Sequence, residues 1–544
     1  YVKATEMLQE FILMSGAFQL NEYQLAHYTL GYAYFNQKKY TEAATWFRKY
    51  VAFEDNSNTK TVTDANIRIG DCLFVNIQYW PALEYYEKAA NKGDYDVDYA
   101  LFQQGFVYGL VQRPQKKIEL MRRILSEHPE SSYADDALFE LGKAYTAQQN
   151  NTQAGQYYNE LINSYPNSSY KKKSLVQLGL IYYNTDRNDQ ALEMYKSVVE
   201  NYPGTPEAKD ALLGIKNIYL DMNDVDRYFE YVKEQGNYVT ISTAEQDSLT
   251  YKAAENLYMA GNCDRAVQQM TGYLEKYPQG VFTTNAWFYK GDCHYQNEQY
   301  EEALKAFNKV IEEPKNMFTE AALLGASRIN FANEEYQVAL ENYTELEKVT
   351  ELKGNLIEAR LGQMRCHYLL AQYEKAIAAA NELLLTEKIS SEMEREARFQ
   401  IATSYRKIGR EDDALDEYRL VAQEVTSEEG AESKYWAAQL LFNKEELEKA
   451  EEVIFEFIDM NTPHQYWMAR SFILLAKTYM EREDYFQAGH TLQSILDYYE
   501  IKDDGIIDEA RQLKRTIEQL EGEENKSPEL QDIEINIDED STNE

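Results

Sequence analysis

Residues 175–203 read LVQLGLIYYNTDRNDQALEMYKSVVENYP, and they divide into helix, turn and helix. The first helix is expected over 175–184, the turn Thr185, Asp186, Arg187 and Asn188 is polar, and the second helix runs over 189–201. Pro203 cannot continue a helix and sets a bend into the next unit. Gly179 and Ala191 supply one small residue on each helix, which two tightly crossing helices need because a larger side chain would force them apart.

The same phase recurs along the chain. Ala43, Ala82, Ala154, Ala191, Ala266, Ala303, Ala339, Ala376, Ala414, Ala450 and Ala488 repeat with a period of about 37 residues. Lys117 and Tyr228 fill the two missing places. Twelve residues earlier stands a second small residue in most units: Gly31, Gly70, Gly105, Gly142, Gly179, Ala254, Gly291, Ser327, Ala402, Ala438 and Ala476. Pro129, Pro166, Pro203 and Pro278 close units, whereas Pro81 and Pro114 open second helices, where a missing amide donor costs little. Only 24 Gly and 10 Pro punctuate 544 residues, so helix is favoured over strand throughout.

Small residue, aromatic, alanine, aromatic four on and then proline resembles the tetratricopeptide repeat, and Gly179, Tyr182, Ala191, Tyr195 and Pro203 match it at every point. The resemblance runs from Asn21 to Tyr499 and implies an all-α, right-handed α-solenoid of about thirteen helix-turn-helix units. The expected organisation is a partial helical segment at 1–20, units one to six over 21–235 and units seven to thirteen over 236–500. A capping helix at 505–520 and a disordered acidic tail at 521–544 complete it. Within the tail, Ile533, Ile535 and Ile537 alternate with polar residues. Unit six is irregular, because Lys216 and Tyr228 stand where small residues are expected to meet.

The blocks at 128–137, HPESSYADDA, and 165–170, YPNSSY, are similar to a narrower group of bacterial cell-envelope proteins. These are the repeat lipoprotein of the barrel-assembly machinery and the periplasmic coordinator associated with Tol-Pal. That similarity implies a periplasmic or outer-membrane-associated location.

The formal net charge of −37, from 92 acidic and 55 basic residues, repels phosphate backbones and argues against nucleic acid. It steers a partner with a basic patch favourably. The apolar runs are too short for a transmembrane segment. No phosphate loop, nucleophile elbow or metal-ligand spacing is present, so no enzyme, cofactor or metal is expected. His27, His128, His294, His367, His464 and His490 are scattered, and His294 and His367 occupy a place that other units give to tyrosine.

Cys72, Cys293 and Cys366 share one position, two residues after the small-residue place of a first helix, and read as small buried hydrophobes. Cys263 lies in a turn one unit before Cys293; an approach of the two is the alternative reading, and the expectation is that Cys263 stays unpaired.

The remaining surface suits protein or peptide binding. In proteins that the chain resembles, first helices line the concave side, with residues at i, i+4 and i+7 forming the stripe. Counting from three before the small residue gives Tyr28, Tyr32 and Phe35, then Tyr251, Glu255 and Tyr258, then Phe288, Asp292 and Tyr295, with Tyr435 and Phe442 further on. Rings offer large contact area at small entropic cost, and the carboxylates suit basic ligand groups. The implied function is an interaction scaffold that binds a protein or peptide partner; the rival is a carbohydrate-binding or enzyme-accessory protein using exposed tyrosines.

Overall fold

The structure, a computed structural model, describes residues 1–53, 59–93, 95–236 and 239–524. The expected tail therefore lies, from residue 525 onward, outside the described residues. Among the described residues every regular element is a helix. A helix at Val2–Leu13 and a short 3-10 turn at Ala17–Gln19 precede thirteen helical hairpins, from Glu22–Asn36 with Tyr40–Val51 to Gln465–Glu481 with Tyr485–Tyr498. The helix Ile506–Glu524 comes next and covers the last hairpin with Ile506, Ala510 and Ile517. The hairpin of the opening stretch forms from Lys171–Tyr183 and Asn188–Asn201, so its first helix starts four residues before the expected Leu175. By compactness the chain divides into Tyr1–Asn256 and Leu257–Glu544, and the division falls inside the helix Thr243–Met259.

All eleven in-phase alanines are buried. Five of the glycines twelve positions earlier, Gly31, Gly70, Gly142, Gly179 and Gly291, do a different job from the one expected, because each faces an aromatic ring, whereas Gly105 faces Met121. A Cβ placed on Gly179 would lie 2.7 Å from the ring of Tyr195, and one on Gly31 would lie 2.7 Å from Phe47. The ring comes four residues after the anchor, one turn along the same helix face. Some rings are held on their other edge too. Cβ atoms on Gly214 and Gly325 would approach the far sides of Tyr195 and Phe307 to 2.5 and 2.6 Å. In the irregular unit six the close approach at Gly214 is to the ring of the preceding unit, and Lys216, at the expected small-residue place, pairs with Glu245 at 3.5 Å.

The turns inside the hairpins are uniform. In all thirteen the residue five before the anchor is left-handed, among them Lys38, Ile77, Asp186, Gly261 and Gly409, and only those last two are glycines. The next residue donates its N–H to the carbonyl five positions back, as Arg187 does to Tyr182 at 2.9 Å. That bond ends the first helix by satisfying one of its orphan carbonyls.

Ile77 is the most strained choice, a β-branched residue at φ 61° with 72% of its surface exposed. Ile77→Gly is expected to stabilise the Tyr1–Asn256 unit by about 1 kcal/mol, since the left-handed penalty disappears and little packing is lost. A urea midpoint that stays put or falls would contradict this.

Candidate interaction surface

The first-helix stripe carries the candidate binding residues, and its geometry separates those that hold the fold from those left to a partner. In the Tyr1–Asn256 unit, Tyr28 and Tyr32 donate their hydroxyls to Asp64 of the next first helix at 2.6 and 2.5 Å. Arg68 bridges Asp64 at 3.2 Å and Asp71 at 2.5 Å, and Asp71 accepts from Tyr86 at 2.9 Å and Tyr99 at 3.0 Å. Burial, with hydrogen bonding to Asp64, pushes Tyr32 up to about 12 and Tyr28 higher still. Both are therefore neutral donors at ordinary pH. Phe35 packs edge-on to Tyr32 and Tyr40, with centroids 6.4 and 5.6 Å apart. Further along, Tyr251 is 4% exposed and donates to Glu255 at 2.7 Å, and Lys252 also holds that carboxylate at 2.5 Å.

In the Leu257–Glu544 unit, Tyr258 donates to Asp292 at 2.7 Å, Gln296 reaches the same oxygen at 2.6 Å, and Tyr258 stacks on Tyr289 with centroids 4.3 Å apart. Phe288 stacks on Phe318 at 4.6 Å, and Tyr295 packs against Tyr300 and Phe307. Tyr435 is 3% exposed and accepts from Arg470 at 3.0 Å, whereas Phe442 is half-buried. Arginines take over the cross-repeat role in mid-unit: Arg328 grips Glu358 and Arg365 grips Glu396, each through two nitrogens at 2.5–2.7 Å. Two-pronged pairs of this kind fix orientation as well as charge. The stripe's carboxylates thus already have partners within the chain, and the interrupting acids Glu255 and Asp292 tie neighbouring side chains together.

The stripe's most open apolar part lies outside the aromatic triplets. Leu180, one residue after Gly179, is 40% exposed, and Leu213, three before Lys216 on the neighbouring first helix, is 51% exposed. One helical turn before each, Val176 and Asp210 help to line a cleft of about 380 Å³, together with Phe139, Lys143, Lys173, Gln177, Pro206 and Glu207. The counting rule that picked the tyrosines passes through Val176, Leu180 and Leu213 as well. Their signal was present in the spacing and missing only from the residue type.

The histidines are packing groups: His294 and His367 each set Nδ1 against the glutamine that precedes the second helix, Gln299 at 2.6 Å and Gln372 at 3.0 Å. Burial pulls His367 below its ordinary value. Among the described residues no cluster of three His, Cys, Asp or Glu is arranged to hold a metal, and no helix is long and apolar enough to cross a membrane. The cysteine expectation is corrected: Cys263 and Cys293 are disulfide-bonded, with Cα atoms 5.1 Å apart. The hairpin turn brings the first turn of one second helix against the following first helix, a proximity that repeat spacing alone does not reveal. Cys72 and Cys366 are free and buried.

Helix pairs closing on a ring through a small residue define a helical-hairpin repeat protein. Part of the chain matches tetratricopeptide repeat models: one matches residues 99–131, 136–168 and 173–205, and a second matches 13–58 and 251–316. Solved structures with related folds include that of MamA, at 17% identity over 33% of this chain and 92% of that one with a TM-score of 0.29. Another is yeast Tom70, at 16% identity over 85% and 96% with a TM-score of 0.27. A third is a tetratricopeptide repeat protein from Parabacteroides merdae ATCC 43184, at 15% identity over 50% and 98% with a TM-score of 0.28. No curated protein matches the chain.

Proposed function

We propose that the chain is an interaction scaffold that holds a protein or peptide partner on its first-helix stripe and serves in bacterial envelope assembly or maintenance. One observation carries the binding reading: Leu180 and Leu213 stand open beside a cleft on a stripe whose other large side chains are engaged within the fold. Apolar groups of a partner gain most where such side chains can be desolvated against a pre-formed surface. The long-range field of a chain with net charge −37 favours partners bearing a basic patch. The envelope setting rests on the blocks at 128–137 and 165–170. Sugar stacking is disfavoured, since it needs open aromatic faces and Tyr251 and Tyr435 are buried.

The test is capture of partners from envelope extracts with the wild-type chain and with Leu180→Asp/Leu213→Asp. Both side chains are exposed, so the variant is expected to keep its unfolding midpoint while retained partner falls at least about tenfold, as loss of a desolvated apolar contact predicts. Equal capture by the two chains would refute the assignment of this surface.

A further inference from the structure

We propose that Cys263 and Cys293 are an oxidative modification site, that the chain works in an oxidising compartment, and that the bond formed there pins the helix Cys263–Lys276 to the helix Thr283–Gln296. Cys263 opens the helix Cys263–Lys276 and is half-buried, whereas Cys293 sits inside Thr283–Gln296 and is fully buried. Their Cα separation of 5.1 Å is within the range a disulfide spans without backbone movement.

The bond lies in the core between the two helices that it joins. Around the bond Leu257, Ala266 and Cys293 pack together, edged by Tyr258, Cys263 and Val267, and Met270, Tyr273 and Ala286 of the same two helices are buried as well. The next cluster along has Ala303, Phe307, Val310, Phe318, Ala322, Ala326 and Ile329 buried. A bond that closes 30 residues of chain restricts the opened state of this segment.

The other two cysteines sharpen the assignment. Cys72 and Cys366 are buried, and burial pushes both thiols up to about 12, so neither forms a thiolate that would compete in exchange. The described chain is thus left with no exposed free thiol. Bonds of this type persist in oxidising compartments and are rare where glutathione keeps thiols reduced.

The chemistry requires an external disulfide as oxidant. The Cys263 thiolate attacks it, forming a mixed disulfide and releasing one thiol. Cys293, giving up its proton, then attacks Cys263 Sγ and expels the second thiol. Two protons and two electrons leave the chain, and the oxidant ends as two thiols.

The full chain should be taken from the cells that naturally make it, with thiols trapped by acid and alkylated in denaturant. Two alkyl groups are expected without reductant and four with it. Trypsin without reductant should yield residues 253–265 joined to 291–305. Four alkyl groups before reduction would overturn the oxidation. In the isolated chain, dithiothreitol is expected to raise amide exchange over 263–276 on the order of 100-fold, the restriction a bond across this loop provides. A linked peptide with unchanged exchange would overturn the pinning role. Cys263→Ser, which leaves the buried Cys293 in place, is expected to show three free thiols and no response of this segment to reductant; a response would count against the bond as its cause.

Discussion

Gly291→Ala is expected to destabilise the protein while Gly272→Ala stabilises it, although both glycines lie inside helices. Removing glycine from a helix interior ordinarily gains about 0.5–1 kcal/mol through lost chain entropy. At Gly272 nothing approaches the place of the new methyl group, so that gain is realised. At Gly291 the methyl carbon would meet the ring of Phe307 at 2.9 Å, and the ring cannot retreat because Gly325 lies close on its far side. Overpacking of this sort costs about 1–3 kcal/mol, enough to reverse the sign. Phe307→Ala empties the slot altogether and should cost about 3–5 kcal/mol. Urea unfolding of the three variants, followed by hydrogen exchange to place the loss in the hairpins around Phe307, decides the matter. A Gly291→Ala chain more stable than the parent would refute the ring-slot account.

The slot also shows what spacing does and does not carry. The thirteen hairpins, their turns and the closing prolines were legible because each is local: a period, a polar turn, a residue that cannot continue a helix. Pro129, Pro166, Pro203 and Pro278 each stand two residues past a helix end, as their spacing predicts. What the small residues face was not legible. It depends on the relative rotation of two helices and on the following unit, and the ring of Tyr195 touches glycines 16 residues before it and 19 after it. The disulfide escaped for the same reason.

The stripe was legible in position and misleading in chemistry. Counting i, i+4 and i+7 finds the face, but a tyrosine on that face serves the fold whenever an acid sits on the neighbouring helix. Tyr28 and Tyr32 to Asp64, Tyr170 to Asp136 and Tyr258 to Asp292 all span 32 to 36 residues, about one repeat, so each joins neighbouring units. The 46 tyrosines are in good part explained by this use: a ring for packing and a hydroxyl to satisfy a neighbour's carboxylate. Leu180 and Leu213, by contrast, stand exposed on the stripe.

The most costly single change in the Tyr1–Asn256 unit is expected to be Asp64→Ala. Its carboxylate is the shared acceptor of Tyr28, Tyr32 and Arg68, and it is almost fully buried. Its removal takes the acceptor from two half-buried hydroxyls and leaves Arg68 facing Asp71 alone. Breaking one partner out of such a network costs about 3–5 kcal/mol, more than the pair itself contributes. Asp64→Asn keeps the shape and one carbonyl acceptor and should lose less.

The pH dependence has a determined sign. Burial raises Tyr28, Tyr32 and Tyr86 above the ordinary tyrosine value, so their stabilising effect is complete below about pH 10 and is lost as pH climbs toward the raised folded values. Burial also raises Asp71, against the pull of Arg68 and the donors Tyr86 and Tyr99. Its contribution is complete below the unfolded carboxyl value near about 4 and is lost as pH rises through the folded one. The unit should therefore unfold more readily from about pH 10 upward, and Tyr32→Phe, which lacks a proton to lose, should flatten that slope while lowering stability at neutral pH. Equal slopes for parent and variant in urea titrations from about pH 9 to 11 would show that the phenol–carboxylate network does not govern alkaline stability.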